Sequence, residues 1–260
     1  MGTHKGFRIA SFITLIAIIV TSALYFTIHN DIIKYTLKPI PLFLLLMNII
    51  YYFITYRVHI YSSLLFTGLT FCLIGDILLM FFNPSVPNQN HLLLLIGGGT
   101  SFFIARMLFI IMFLIYPYKG VPEKWIEVSI LKGGITMILP IIISILIISY
   151  LSLIVHSIML LFLVSLYLIV MNLQLWLSML RIKGFEEESL TSQILGFAGT
   201  MFFNISDILL IINIFSFKIN EIIVLSFYWG SMYVLMISVI RSSSFEREKK
   251  TILSSELYPY

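Results

Sequence analysis

The sequence predicts an all-α membrane protein of eight transmembrane helices, built as a parallel repeat of four plus four with both termini cytoplasmic. Three observations predict it. Sixty per cent of the 260 residues are hydrophobic, 11% are charged, and the mean hydropathy is +1.04, values foreign to an ordinary soluble domain. The apolar residues fall into runs near the ~20 that ~30 Å of hydrocarbon requires. One nine-residue stretch also occurs twice: residues 71–79 and 202–210 agree at six of nine positions, at an offset of 131.

Taken in order, the apolar runs place spans at 8–28, 37–56, 61–82, 92–116, 133–150, 152–176, 194–215 and 222–240. The fifth and sixth are nearly continuous, and only Ser149-Tyr150-Leu151-Ser152 suggests a turn between them. Eight spans put both ends of the chain on one side. That side receives Lys5, Arg8, Arg57, Lys119, Lys124, Lys132, Arg181, Lys183, Arg241, Arg247, Lys249 and Lys250, whereas Lys34, Lys38 and Lys218 fall on the other. The asymmetry makes the terminal side cytoplasmic. The loop from Tyr116 to Lys132 is expected along the interface, and Glu186-Glu187-Glu188 reads as a solvated loop edge. Residues 1–242 form the transmembrane domain and 243–260 a polar, unstructured cytoplasmic tail. The net charge of +4 reflects basic residues on one membrane face, so no nucleic-acid partner is expected.

The two copies of the repeated stretch place Asp76 and Asp207 inside apolar spans. A carboxylate at the bilayer centre costs at least ~2.5–3.5 kcal/mol, so such residues face a protected interior. Counted from the ends of the third and seventh spans, both lie about 9–12 Å below the outer boundary. The expectation is that these two spans are neighbours and that both carboxylates face one cavity. In the seventh span Gln193, Gly196, Thr200, Asn204 and Asp207 recur at helical spacing, a stripe that faces other helices rather than lipid.

Arg106 is the single basic residue deep within a span, and it lies level with the carboxylates, so its natural partner is Asp76 or Asp207. A purely structural ion pair is the competing reading. Lys38, before Pro39, opens the second span. Asn48 and Tyr52 lie within about 80° of it on the helical wheel, on one candidate cavity face. Lys38 read blandly is a lysine snorkelling to the headgroups. The repeat extends weakly to Ser101–Met107 against Ser226–Met232, which brings Ser231 opposite Arg106. No histidine pair has ligand spacing and there is no Ser/His/Asp order, so neither a metal nor a serine-hydrolase site is expected.

Lys38-Pro39, Gly75-Asp76-Ile-Leu-Leu79 and Gly199 to Ser206-Asp207 together resemble the lysoplasmalogenases, the YhhN-like membrane proteins, in order and spacing over most of the chain. Two positions depart from that family's pattern: Arg106 stands where it usually has His, and Ser231 where it usually has Gln. The resemblance implies hydrolysis of the vinyl-ether bond of lysoplasmalogens to a fatty aldehyde and a glycerophospho-alcohol. It implies Asp76 and Asp207 as the catalytic pair and a lysophospholipid substrate. Lys38, Arg106, Asn48, Tyr52, Thr200, Asn204 and Ser231 are the candidates for substrate binding. Protonation of the vinyl-ether β-carbon followed by attack of water calls for an acid and a base, a division of labour paired carboxylates perform in glycosidases. No metal or organic cofactor is required. The expected location is the endoplasmic reticulum membrane in a eukaryote and the inner or plasma membrane otherwise.

Two other readings stand beside the enzyme. A proton-coupled carrier also uses parallel repeats and carboxylates facing a cavity, and a catalytically inactive relative would simply bind lipid. Pro140 and the glycine run 97–99 have no counterparts in the opposite half, which favours the enzyme over a carrier with paired broken helices.

Overall fold

The computed structural model describes residues 2–28, 31–56, 59–81, 89–115, 123–182 and 189–257, and these residues form nine helices. They are α1 (Gly2–Thr27), α2 (Asp31–Leu37), α3 (Ile40–Thr55), α4 (Ile60–Met80), α5 (Gln89–Ile115), α6 (Glu123–Ile154), α7 (Ile158–Leu180), α8 (Leu190–Phe215) and α9 (Glu221–Leu257). Seven contain an apolar segment long enough to cross a membrane, namely all but α2 and α3. Hydrocarbon offers the backbone no hydrogen-bond partners, so helices that satisfy their own N–H and C=O groups are the structures such a sequence can adopt there. The chain is an integral multi-pass membrane protein. Of the loop expected from Tyr116 to Lys132, residues 116–122 lie outside the described residues, whereas 123–132 are not loop but the first turns of α6. The Glu186–Glu188 run, Arg57, Lys119 and Lys183 also lie outside the described residues.

Three expectations about the helices need correction. The second span, 37–56, holds the 16-residue α3, which begins after Pro39 as expected. An unexpected short helix, α2, precedes it and stops there because Pro39 has no N–H to continue its ladder. The Lys38 N–H closes α2 on the Lys34 carbonyl (3.0 Å), and the Phe43 N–H opens α3 on the Pro39 carbonyl (3.1 Å). Between the fifth and sixth spans the chain does not turn at Ser149–Ser152. There the Ser152 hydroxyl donates to the Ser149 carbonyl (2.7 Å), inside a helix that runs on to Ile154. The break is at 155–157, where Ser157 caps α7 by accepting the Leu160 N–H (3.4 Å). Finally, the stretch after Ser242, expected to be unstructured, continues α9 to Leu257. It lacks Gly and Pro up to that point and sets Glu246 four residues before Lys250, an arrangement that supports helix.

The most extensive contacts are of α4 with α5 and of α8 with α9. Around these pairs α1 packs on α3 and α6 on α7, while α3 and α4 lean on α9 and α7 leans on α5 and α8. The larger apolar core lies among α3, α4, α5 and α9 around Leu65, Phe109, Trp229 and Met236. A smaller one joins α6, α7 and α8 around Leu151, Leu168 and Ile211. The outward faces are apolar too: Ile135, Leu139, Ile142, Leu146 and Leu153 of α6 are all exposed, as a lipid-facing helix requires.

Small residues bring the paired helices together. A Cβ on Gly68 would lie 2.4 Å from the Phe109 ring, and one on Gly199 would lie 2.8 Å from Leu235 Cγ. Gly68 and Gly199 are separated by the same offset of 131 as the repeated stretch (199 − 68). Close approach at small residues is how helices associate in lipid, where apolar side chains gain nothing by leaving the hydrocarbon. Gly199→Val is therefore expected to cost about 1–3 kcal/mol through overpacking and to lower Tm in detergent. Gly134→Ala, where a Cβ meets nothing within 4 Å, is expected to leave Tm unchanged or raise it. Equal Tm values for Gly199→Val and the parent would show that α8 and α9 can separate without loss.

Candidate active site

Arg106 is wholly buried near the middle of α5, and the site is built around its charge. Its Nη2 donates to Asp207 Oδ2 at 2.6 Å and its Nε to the same oxygen at 3.2 Å. Nη1 donates to Asn204 Oδ1 (2.5 Å) and to Gln174 Oε1 (2.8 Å). The Tyr167 hydroxyl accepts from Nε (3.3 Å) and donates in turn to Asp207 Oδ2. The guanidinium plane lies over the Phe203 ring, 3.8 Å from its centroid, so its apolar face is also covered. Among the described residues this is the one ion pair.

Helix geometry delivers these groups. Asp207 lies four residues after Phe203 and three after Asn204 on α8, so both stand beside it on one side of the helix, and Thr200 and Gly196 continue the Asn204 stripe. On α7 Tyr167 and Gln174 are seven residues apart, two turns on one stripe. The Asn204 amide N–H₂ donates to the Met171 carbonyl (3.3 Å), which ties α8 to α7 beside the ion pair.

A cavity of about 330 Å³ runs from this cluster between α5, α7 and α8. Tyr167 and Asp207 stand at one end. Apart from Thr100 its remaining walls are apolar: Leu95, Ile96, Phe102 and Phe103 of α5, Leu163 of α7 and Ile214 of α8 are among them. From Asp207 to Phe215 along α8, and from Phe103 to Leu95 along α5, the lined length is about 12 Å. The volume is at the lower end of small-molecule sites, ~300–1,000 Å³, and the shape suits one aliphatic chain.

Asp76 does not line this cavity, which corrects the expectation of one cavity for both carboxylates. The expected packing of the third and seventh spans fails for the same reason: α4 and α8 share no extensive contact, because α5 and α9 stand between them. Asp76 is buried on α4, near the Tyr228 hydroxyl and the Lys38 charge, and its Oδ2 has no hydrogen-bond partner. The wall between the carboxylates is Phe102. Its ring lines the cavity, occupies the space over Gly75 (2.8 Å from an ideal Cβ) and meets the Tyr228 ring edge-on at 5.9 Å. Cys72, one turn before Asp76, is fully buried in the same apolar cluster as Phe102 and near the Tyr228 hydroxyl.

The other sequence candidates are dispersed. Asn48 is buried but donates to Thr14 Oγ1 of α1 (2.9 Å), and Tyr52 packs its ring against Tyr56 at 5.0 Å, so neither reaches the cluster. The Thr200 hydroxyl donates to the Gly196 carbonyl of its own helix (2.9 Å) and the Ser231 hydroxyl to Tyr228 (2.6 Å). Lys38 stands at the α2–α3 junction and acts on Asp76 only through its charge. Of the two partners open to Arg106, the structure selects Asp207. With every guanidinium nitrogen on a protein acceptor, the fork is occupied and is not presented to a phosphate. Tyr167, Gln174 and Phe203 escaped the sequence reading. The seven-residue spacing of a hydroxyl and an amide inside the apolar run 152–176 was the available signal for the first two. Among the described residues no three His, Cys, Asp or Glu side chains cluster as a metal set.

Arg106→Leu leaves the Asp207 charge buried without its cation, and breaking a buried pair costs about 3–5 kcal/mol. A large fall in Tm is expected, mostly recovered in Arg106→Leu/Asp207→Leu. No recovery in the double variant would show that packing, not charge, explains the loss. A second expectation concerns Cys72, the one thiol in the chain. A maleimide should label it slowly in the folded protein and faster in Phe102→Ala, and an unchanged rate would show that Phe102 is not the wall.

No curated protein and no solved structure matches the chain. The family model of the YhhN family matches residues 33–239, from within α2 almost to the end of the apolar part of α9. The match takes in Lys38, Asp76, Arg106, Tyr167, Gln174, Asn204, Asp207 and Tyr228, the polar groups placed at and around the two carboxylates. On a match of that extent, the chain belongs to the YhhN family.

Proposed function

We propose that the protein is a membrane hydrolase of the lysoplasmalogenase type, cleaving the vinyl-ether bond of a single-chain ether lipid. The observation that carries this reading is a buried carboxylate, Asp207, fixed by Arg106 and Tyr167 at one end of a largely apolar cavity with a volume that suits one chain. Its membership of the YhhN family, which includes lysoplasmalogenases, supports the same chemistry. We further propose that the eight principal helices form a parallel repeat with both termini cytoplasmic. The packing of α4 on α5 and α8 on α9, and of α3 on α9 and α7 on α5, supports that repeat.

In the proposed reaction a proton is added to the β-carbon of the alkenyl chain, and the adjacent carbon becomes an oxocarbenium ion. Water attacks that carbon and loses a proton to a base. The resulting hemiacetal then breaks its bond to the glycerol oxygen, which takes a proton and leaves as the alcohol, while the chain leaves as the aldehyde. Asp207 suits the base and electrostatic role. Donors from Arg106 and Tyr167 converge on Oδ2, which favours the carboxylate form. The carboxylate stands in the cavity wall, where positive charge would develop. Asp76, whose Oδ2 has no partner, is the proposed acid, reaching the chain once the Phe102 ring turns aside.

The assay is incubation of purified protein with an alkenyl lysophospholipid and detection of free aldehyde. Asp207→Asn and Asp76→Asn keep size and hydrogen-bonding capacity, and each is expected to be made at normal levels and to lose ~10²–10⁴-fold in turnover. Full activity in either variant removes that residue from the reaction. Arg106→His, which restores the residue usual in the family, is expected to keep the same product. A carrier is the second reading, favoured by the repeated packing of the two halves. Transport of the lipid or of protons into sealed vesicles, with no aldehyde formed, would establish it in place of the hydrolase.

A further inference from the structure

The glycine run Gly97-Gly98-Gly99 on α5 divides its work between two neighbours. A Cβ on Gly98 would lie 2.6 Å from Leu79 Cγ of α4, and one on Gly97 would lie 3.4 Å from Leu78 Cδ1. These two glycines let α5 approach α4. Gly99 does something else: a Cβ there meets nothing within 4 Å, and the residue is part of the cavity wall. It lies one helical turn from Phe103, which is about 6 Å along a lined length of about 12 Å. Gly99 is exposed where it lines the cavity, so the missing side chain leaves open space at the cavity wall, halfway from its polar end.

We propose that Gly99 sets the length and thickness of the aliphatic chain that the cavity accepts. The occupant is the single hydrocarbon chain of a lysolipid-like amphiphile. The cavity has room for one chain, its walls are apolar apart from Thr100, and its ionisable groups, Asp207 and Tyr167, are confined to one end. A chain with its oxygen-bearing carbon at Asp207 passes Gly99 on its way along α8 toward Phe215. A branched side chain at position 99 fills the passage and leaves only the segment beside Phe103 and Tyr167. The chemistry at the head of that chain rests on the hydrolase reading, whereas the gauge itself requires only that a chain binds.

The test uses the full-length protein in nanodiscs with two series of lysophospholipids of short, medium and long chains. One series has saturated alkyl ethers, which bind but are not cleaved, and the other has the alkenyl ethers. Gly99→Leu is expected to weaken binding of the long alkyl ether by about tenfold or more, ~1.4 kcal/mol, while the short one binds as to the parent. Gly99→Ala adds one carbon to open space, is expected to fold as the parent does, and should shift the profile in the same direction by less. Gly230→Leu is the control: a Cβ there also meets nothing within 4 Å, but the residue is not in the cavity wall. Its profile should match the parent's. An unchanged chain-length profile in both Gly99 variants overturns the gauge, as does an equal shift in Gly230→Leu. If the profile shifts as expected but no protein cleaves the alkenyl series, the gauge stands and the hydrolase reading falls.

Discussion

A guanidinium charge wholly buried among membrane helices is the constraint on which the rest of this structure depends. The penalty for an unpaired charge there is several kcal/mol, and breaking such a pair is costlier than never having made it. The fold meets it with acceptors drawn from two helices. Asp207 and Asn204 come from α8, Gln174 comes from α7, and Tyr167 bridges the cation and the carboxylate. Hydrogen bonds of this kind are directional, so they fix the rotation of α7 and α8 about their axes where apolar packing would leave it loose. The cavity exists because of that arrangement. Arg106 joins α5 to α8 at one end of it, and α7, packed on both, supplies another wall.

The rest of the packing is made by absence of bulk. Gly68 and Gly75 let the Phe109 and Phe102 rings of α5 rest on the α4 backbone, Gly98 of α5 admits Leu79 of α4, and Gly199 of α8 admits Leu235 of α9. In lipid these contacts gain from van der Waals fit and not from removal of water. That is why positions with no side chain set the helix pairs while the large residues of α6 point outward.

The two carboxylates show how a repeated sequence can acquire unlike surroundings. Asp76 and Asp207 occupy matching positions in copies of one stretch, yet only Asp207 meets an arginine. Arg106, on the helix that follows Asp76 in sequence, pairs with the second carboxylate and not with the first. The first meets Tyr228 instead, with Lys38 acting from a helix junction. The division suits chemistry that needs one group held as an anion and another free to exchange a proton. Phe102, seated over Gly75, keeps the two apart in this conformation.

Several features were legible from the residues alone. Composition and run length determine a multi-pass helical membrane protein, because no other backbone arrangement survives in hydrocarbon without a closed barrel. The repeat exposes Asp76 and Asp207, and the cost of burying charge marks Arg106 as needing one of them. Spacing also gave the buried stripe Gly196, Thr200, Asn204, Asp207. Sequence did not decide which carboxylate Arg106 would take, since both lie at similar depth and depth carries no azimuth. It did not place Asn48 against α1, because a helical wheel gives a face and not the neighbour that meets it. Nor did it show that Tyr167 and Gln174 would complete the cluster, or that Phe102 would part the carboxylates. Those outcomes belong to the tertiary structure: they depend on how α5 is rotated between α4 and α7, a long-range packing result that no local spacing encodes.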